Sequence, residues 1–254
     1  MRVLVTRPAT QARSWVAQLR DRGVDAVALP LICIGPVADA SALRRAWQTL
    51  PTRRLVVFVS PNAVREFFAQ RPADTVWPAQ VRAASPGPGT TRELVEQGVP
   101  VDQVLAPDPQ AAQMDSESLW AQLKALDWRD ASVLFVRGTG GRDWLSQMLH
   151  KHGAVVDHVA AYVRSAPRWA AGELELARAA WTAPATHAWL FSSAEAVDNL
   201  TKAQPWTLTA PAGAVAVATH PRIAERARRH GFDRVLASRP LLDDVVACIQ
   251  SIEL

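Results

Sequence analysis

Polar residues and glycines directly follow several apolar segments of this sequence, in the places where strands of a parallel sheet would end. Small residues there leave the backbone N–H groups of the next helix open, and the helix dipole at that end attracts anions. The pattern therefore predicts a binding site for an acidic small molecule. The candidate binding residues are Arg7, Pro8, Ser60, Asn62, Gly87, Thr90, Arg137, Gly138, Ser192, Ser193, Thr219 and His220.

The Ser, Thr and Asn residues among these also have a purely structural explanation, because they are favoured as helix N-caps. For any single residue that explanation is the stronger one. The same polar pattern recurs, however, at several expected strand ends in both halves of the chain. The recurrence favours an anion-binding cleft over a coincidence of capping residues.

Tyr162 is a separate candidate for chemistry, since it is the only tyrosine in the chain. It lies in a segment that is predicted to be extended, 155–164. Two interpretations are open from the residues alone. The ring packs in an interface with its hydroxyl in water, or the phenol lies in a cleft and donates a proton to a bound molecule.

The elements that must position these residues are repeated along the chain. Arg7 and Arg137 are 130 positions apart, and so are Gly23 and Gly153. Further matches, at an offset of 133, are 58–64 with 191–197 and Gly98 with Gly231. Two copies of one unit imply a bilobed molecule, and such molecules bind ligands in the cleft between the lobes.

Strands and helices are predicted to alternate within each copy. Short apolar runs alternate with amphipathic stretches of helical period, which indicates two parallel, doubly wound sheets of flavodoxin type. The predicted strands are 3–6, 24–34, 55–60, 81–85 and 101–105 in the first copy, and 132–136, 155–164, 187–191, 214–218 and 234–237 in the second.

Length and composition fit an ordinary globular protein of two domains. The chain has 254 residues, of which 49% are hydrophobic and 20% charged, with a formal net charge of +4. The mild positive charge suits an acidic ligand. No apolar run reaches membrane-spanning length and the N-terminus begins with a strand, so we expect a cytoplasmic protein without a membrane partner. A basic patch at 222–229 is interpreted as a solvated helix face, and no nucleic-acid partner is expected.

The common cofactor and metal motifs are incomplete or missing in the sequence. Gly138-Thr139-Gly140 begins like a dinucleotide loop, but position 143 is Asp where a third glycine would stand. His150 and His152 would point apart on a helix. Cys33 and Cys248 lack metal-ligand spacing, and we expect both to be buried, reduced thiols. We therefore predict neither a metal nor a cofactor.

Short motifs in a fixed order along nearly the whole chain resemble the uroporphyrinogen-III synthase family. Each motif is weak alone, and their order and spacing carry the resemblance. The motifs are Val5-Thr6-Arg7-Pro8 with Gln11-Ala12, Pro30, Ser60-x-Asn62-Ala63-Val64, Gly87-x-x-Thr90, Gly98, Arg137-Gly138-x-Gly140-Gly141-Arg142, Gly153, Tyr162-x-Arg164-x-x-Pro167 and Phe191-Ser192-Ser193.

The resemblance implies two flavodoxin-like domains joined by two extended strands. It also implies a swap, in which the first β-α-β unit of the chain joins the C-terminal part. One domain would then be 1–36 with 166–254, and the other 37–165. Repeat copies and domains would not coincide.

The resemblance further implies a lyase that acts in tetrapyrrole (haem) biosynthesis without a cofactor. It would cyclise hydroxymethylbilane, a linear tetrapyrrole with eight carboxylates, into uroporphyrinogen III, inverting the last ring and losing water. Tyr162 would help the hydroxyl group to leave. A monomer is expected, with a transient contact to the preceding enzyme of the pathway. The alternative is a non-catalytic bilobed cytoplasmic protein that binds tetrapyrroles or another polyanion for regulation.

One motif departs from the family pattern. Many members have a Gly-Pro-x-Thr turn before the penultimate helix, and this chain has His220-Pro221-Arg222-Ile223. The role of that threonine cannot be transferred here. Thr219 or His220 is expected to take its place in part.

Overall fold

The chain divides into two compact units in the computed structural model, which describes residues 1–202 and 209–252. Unit 1 consists of Met1–Cys33 with Ser165–Leu254, and unit 2 of Ile34–Arg164. The chain therefore passes between the units twice.

Unit 1 has a five-stranded sheet in the part of the chain that the structure describes. The strands are β1 (Arg2–Val5), β2 (Ala26–Ala28), β9 (His187–Phe191), β10 (Val215–Ala218) and β11 (Arg234–Ala237), and the helices are α1 (Ala9–Arg20), α7 (Ala171–Thr182), α8 (Ala194–Lys202), α9 (Pro221–Arg229) and α10 (Leu242–Gln250). The strand order is β11-β10-β9-β1-β2, and every neighbouring pair is parallel. Counted along the unit, this is the flavodoxin order 2-1-3-4-5.

Unit 2 has a six-stranded sheet. The strands are β3 (Cys33–Pro36), β4 (Leu55–Phe58), β5 (Arg82–Ala84), β6 (Val104–Leu105), β7 (Ser132–Gly138) and β8 (Val155–Ser165), and the helices are α2 (Ser41–Gln48), α3 (Pro61–Phe68), α4 (Pro88–Glu96), α5 (Ser116–Leu123) and α6 (Trp144–Lys151). The strand order is β3-β8-β7-β4-β5-β6, and from β8 to β6 the strands are parallel. Short 3-10 turns lie at Leu50–Thr52, Val101–Gln103 and Pro184–Thr186.

Both faces of the unit 2 sheet are buried, as a doubly wound sheet requires. Side chains alternate along β4: Val56 and Phe58 belong to one core cluster, whereas Leu55 and Val57 belong to another on the opposite face. All four residues are almost completely buried. The prediction of an α/β fold with two doubly wound parallel sheets is confirmed, while the internal repeat stays a prediction.

Two predictions about the early part of the chain are wrong. The segment 24–34 is not one strand, because β2 ends at Ala28 and β3 begins at Cys33 in the other sheet. Pro30 lies between them and has no N–H for a sheet hydrogen bond. Cys33 is exposed rather than buried, because β3 is the edge strand of its sheet, and Cys248 is half-buried.

The described helices are all too short or too polar to cross a membrane.

Candidate functional site

Three neighbouring strands of unit 1 end at one edge of its sheet. Because β10, β9 and β1 are adjacent and parallel, the residues that follow them lie along that edge. The Thr6 hydroxyl donates to the Leu190 carbonyl at 2.7 Å, and the Thr219 N–H donates to the Phe191 carbonyl at 3.1 Å, so the strand ends are tied together. The structure thus groups six predicted binding residues at this edge: Arg7, Pro8, Ser192, Ser193, Thr219 and His220.

Arg7 carries a positive charge that no carboxylate neutralises within the described residues. Its guanidinium carbon lies 4.2 Å from the centre of the Trp15 ring, and its Nε is buried without a hydrogen-bond partner among them. Burial lowers the pKa of Arg7 to about 10. The guanidinium therefore remains protonated at neutral pH, and its Nε–H donates to none of the described residues.

A second polar atom without a partner among the described residues belongs to Ser192, at the same edge. Its Oγ is buried and has no hydrogen-bond partner among the described residues. A buried hydroxyl without a partner costs free energy, which a bound acceptor or donor would recover. Ser193 beside it is half-buried, whereas Thr219 is only 5% exposed.

His220 is the N-cap of α9 in the altered turn. Its Nδ1 accepts a hydrogen bond of 3.0 Å from the Arg222 N–H at the start of α9. Nε2 then carries the hydrogen of the neutral ring, so it cannot accept from the Arg222 guanidinium 3.2 Å away. Thr219 beside it is buried and is not the cap of α9.

The unit 2 sheet forms a second edge of the same kind. Strands β7, β4 and β5 are adjacent and parallel. Of the remaining six predicted binding residues, two are the last residues of β7 and the other four follow β4 or β5. Ser60 is the N-cap of α3, where its Oγ accepts from the Ala63 N–H at 3.2 Å, and Gly87 is the N-cap of α4. Asn62 is half-buried and Thr90 is 4% exposed. These residues are Ser60, Asn62, Gly87, Thr90, Arg137 and Gly138.

Tyr162 lies beside Ser60 at this edge and is fully buried. Its hydroxyl is 2.9 Å from Ser60 Oγ and accepts a hydrogen bond of 2.9 Å from Arg164 Nη2. Of the two interpretations drawn from the sequence, the one with the hydroxyl in water is therefore wrong. The reason is packing, since the ring belongs to one core cluster of unit 2.

Arg164 is a functional candidate that sequence reasoning missed. Tyr162 and Arg164 are two residues apart in β8, so their side chains leave the strand on the same face. The guanidinium carbon also lies 5.5 Å from the centre of the Tyr162 ring. This spacing was visible in the Tyr-x-Arg motif and could have identified the pair.

Gly138 makes room for the Tyr162 ring. The two residues are paired across β7 and β8 just after an irregularity in the register. A Cβ on Gly138 would lie 2.9 Å from Tyr162 Cε2 and 3.0 Å from Cζ. The glycine is therefore required by a side-chain contact, and dinucleotide binding is not needed to explain it.

Arg137 differs from Arg7 in having an anionic partner. Its guanidinium pairs with the carboxylate of Asp143, and this hydrogen bond holds the pKa of Asp143 below its usual value. Asp143 is the residue that replaces the third glycine of the dinucleotide pattern. The side chain of Arg137 is only 15% exposed, which leaves it less available to a ligand than its sequence position indicated.

The model of one protein family, described as uroporphyrinogen-III synthase HemD, matches residues 13–247 of this chain. The chain belongs to the uroporphyrinogen-III synthase family. The resemblance drawn from the sequence is thereby confirmed. The matched residues include every predicted site residue except Arg7 and Pro8, which precede them.

Curated relatives agree with membership of this family. A uroporphyrinogen-III synthase of Proteus mirabilis is 29% identical over 65% of this chain and 80% of its own. One of Chlorobaculum parvum is 28% identical over 65% of this chain, and that match spans 64% of the relative.

Two crystal structures share the fold. A mutant uroporphyrinogen III synthase of the extremely thermophilic bacterium Thermus thermophilus has a TM-score of 0.58 at 16% identity, covering 100% of this chain and 97% of its own. The synthase of Helicobacter pylori has a TM-score of 0.58 at 14% identity, covering 99% and 100%. At such low identity these matches show the uroporphyrinogen-III synthase fold and do not test individual site residues.

Proposed function

We propose that this member of the uroporphyrinogen-III synthase family cyclises hydroxymethylbilane to uroporphyrinogen III, with inversion of the last ring and loss of water. The observation that carries the proposal is the hydrogen-bonded group of Ser60, Tyr162 and Arg164 at the carboxyl edge of the unit 2 sheet. The reaction begins when a hydroxyl group leaves as water, and departure requires a proton. A positioned hydroxyl group can supply it.

The chemistry makes few other demands on the protein. When the hydroxyl group leaves, the pyrrole supplies its own electrons and becomes an azafulvene cation. The enzyme must then hold the chain so that the substituted carbon of the last ring attacks and a spiro intermediate forms. Attack by the unsubstituted carbon gives the symmetric type I isomer instead. Such positioning can contribute several kcal/mol to the barrier difference.

Substrate carboxylates would be bound at the two sheet edges. Arg7 and Ser192 support this in unit 1, because each has a buried polar atom without a partner among the described residues. In unit 2 the open helix N-terminus at Gly87 supports it, since an added Cβ there would meet nothing within 4 Å. Thr90 and Thr219 are buried and would act by shaping their turns. That all these residues share one cavity is an expectation.

We also propose that the two compact units are the two domains of the family, produced by a swap of the first β-α-β unit. The expected boundaries were 1–36 with 166–254, and 37–165. In unit 2, counting β7 and β8 first gives the order 2-1-3-4-5 from β8 to β6, as in unit 1. A common order after this exchange supports the swap. The monomeric state, the cytoplasmic location and the transient contact with the preceding enzyme stay predictions.

Product analysis tests the proposed function. Hydroxymethylbilane is generated in the assay, and the isomers formed with and without the protein are separated. We expect uroporphyrinogen III to predominate with the protein present, whereas type I forms alone in its absence. If type I alone forms at the uncatalysed rate while the protein still binds a porphyrin product, the non-catalytic binding protein is the correct alternative.

Arg7→Met separates binding from stability. We expect KM to rise about tenfold, because a lost hydrogen bond to a charged group is worth about 1.5 kcal/mol. Thermal stability should be unchanged or increase by up to about 1 kcal/mol, since a buried polar group without a partner is removed. Steady-state kinetics and thermal denaturation measure the two effects.

Arg2→Met is the matched control for Arg7→Met. Arg2 begins the strand that Arg7 follows, and it pairs with Asp25 on the surface. We expect no change in KM from this variant. A drop in stability for Arg7→Met with an unchanged KM would show that Arg7 has a structural role.

A further inference from the structure

We infer that Ser60 delivers the proton to the departing hydroxyl group, and that Tyr162 and Arg164 act on Ser60 as positioning residues. This inference rests on the proposed function and identifies the residue that acts as general acid in the proposed reaction. It replaces direct contact between the tyrosine and the substrate with a chain of three side chains, Arg164 to Tyr162 to Ser60.

The direction of hydrogen bonding in this chain follows from the donors present. A guanidinium group has only donors, so Arg164 must donate and the Tyr162 oxygen must accept. The phenol hydrogen then needs an acceptor. Among residues 1–202 and 209–252 the only other polar partner of the Tyr162 hydroxyl is Ser60 Oγ, at 2.9 Å. Tyr162 therefore donates to Ser60.

The same reasoning places the hydrogen of the serine hydroxyl. Ser60 Oγ already accepts from Tyr162 and from the Ala63 N–H, which together occupy its two lone pairs. The hydrogen of the Ser60 hydroxyl can therefore be donated to an acceptor other than Tyr162 and Arg164. No carbonyl or carboxylate of the described residues accepts it.

Burial decides which hydroxyl can reach a substrate. Tyr162 is 0% exposed and is enclosed by a core cluster, whereas Ser60 is partly exposed and caps the N-terminus of α3. A large, water-soluble tetrapyrrole can approach Ser60 without disturbing the core. The helix N-terminus at the same position favours the negative charge that develops on Ser60 Oγ as its proton leaves.

Atoms and protons balance over the whole cycle. The bond between the hydroxymethyl carbon and its oxygen breaks, the Ser60 hydrogen passes to that oxygen, and water leaves. The Tyr162 hydrogen moves to Ser60, and the Arg164 guanidinium stabilises the resulting phenolate. Ring closure later releases one proton from the macrocycle, which returns through Ser60 to Tyr162. The enzyme is regenerated and one water is lost overall.

Substitutions at Ser60 test the inference. Ser60→Asn keeps an acceptor for the helix cap but has no hydroxyl. We expect its kcat for the type III isomer to fall about 10²-fold with KM nearly unchanged. Ser60→Thr keeps both the cap and the hydroxyl and should stay within a few-fold of wild type. If Ser60→Asn does not fold, Ser60→Gly replaces it, since Gly is also accepted at N-caps.

Combined variants test whether Arg164, Tyr162 and Ser60 act in series through their hydrogen bonds. Residues that act as one unit are not additive, so Ser60→Asn with Tyr162→Phe should be no slower than the slower single variant. Arg164→Met should lower kcat about tenfold without changing KM, and Arg164→Lys, which restores a donor, should recover most of the loss. A role in folding alone would not produce that recovery of kcat at equal stability.

Ser132→Ala is the matched control, because Ser132 Oγ accepts from Arg53 at 2.9 Å at the opposite end of β7. Ser132→Ala therefore also removes a serine–arginine hydrogen bond, and we expect the kcat of this variant to match wild type. The inference is overturned if Ser60→Asn keeps its kcat while Tyr162→Phe loses it, or if the losses multiply in the double variant. A wild-type protein that yields only type I refutes the proposed function instead.

Discussion

Tyr162→Phe is expected to lower the rate of uroporphyrinogen III formation by about 10²-fold and to destabilise the protein at the same time. The rate falls because the hydroxyl that holds Ser60 is gone, and a positioned proton donor contributes at least that factor. Stability falls because Arg164 Nη2 no longer has the Tyr162 hydroxyl as its acceptor. We expect the loss of this hydrogen bond to cost about 1–2 kcal/mol. Stopped assays with isomer separation and thermal denaturation measure the two effects.

Trp77→Phe is the control for this prediction. Trp77 belongs to the same core cluster, and its Nε1 donates to the Val81 carbonyl at 2.9 Å. Its loss also removes a buried hydrogen bond, so stability should fall while turnover stays close to wild type. If both variants lose activity in proportion to stability, Tyr162 has only a structural role.

The fold was predictable because its determinants are local. Alternating apolar runs and amphipathic helices specified the two doubly wound sheets, and strand ends in parallel sheets meet at one edge wherever the strands are adjacent. That reasoning placed Arg7, Ser60, Arg137 and Ser192 at strand ends, whereas the structure puts Arg7 with Ser192 in one sheet and Ser60 with Arg137 in the other. It failed at 24–34, because a continuous apolar run does not reveal where a chain leaves one sheet and enters another.

The state of each site residue was not predictable, because it depends on side chains that are distant in sequence. The sequence left the Tyr162 hydroxyl either in water or in a cleft, but the hydroxyl is buried and hydrogen-bonded to Ser60, which is 102 residues away. Arg7 and Arg137 look equivalent in sequence, yet only Arg137 has an acidic partner among the described residues. Whether a polar residue is satisfied or available is therefore a property of packing that motifs do not encode.

Gly138→Ala is expected to lower both thermal stability and turnover, although it adds only one methyl group. The added Cβ would lie 2.9 Å from the Tyr162 ring, which is closer than van der Waals contact allows. The ring is enclosed in the core and cannot move away freely, so overpacking should cost about 1–3 kcal/mol. A displaced ring also pulls the hydroxyl away from Ser60, so kcat should fall by about 10²-fold, as in Tyr162→Phe.

Gly140→Ala is the matched control two residues further on. Its added Cβ would meet nothing within 4 Å, so we expect wild-type stability and activity. A second-site change separates the two effects of Gly138→Ala. Combining it with Tyr162→Leu removes the clash with the ring, so the two changes should destabilise the protein by less than the sum of the single variants, while turnover is not restored because no hydroxyl returns. Wild-type kcat in Gly138→Ala would mean that the Tyr162 hydroxyl tolerates displacement, and the chain of hydrogen bonds through Ser60 could not then be the route of the proton.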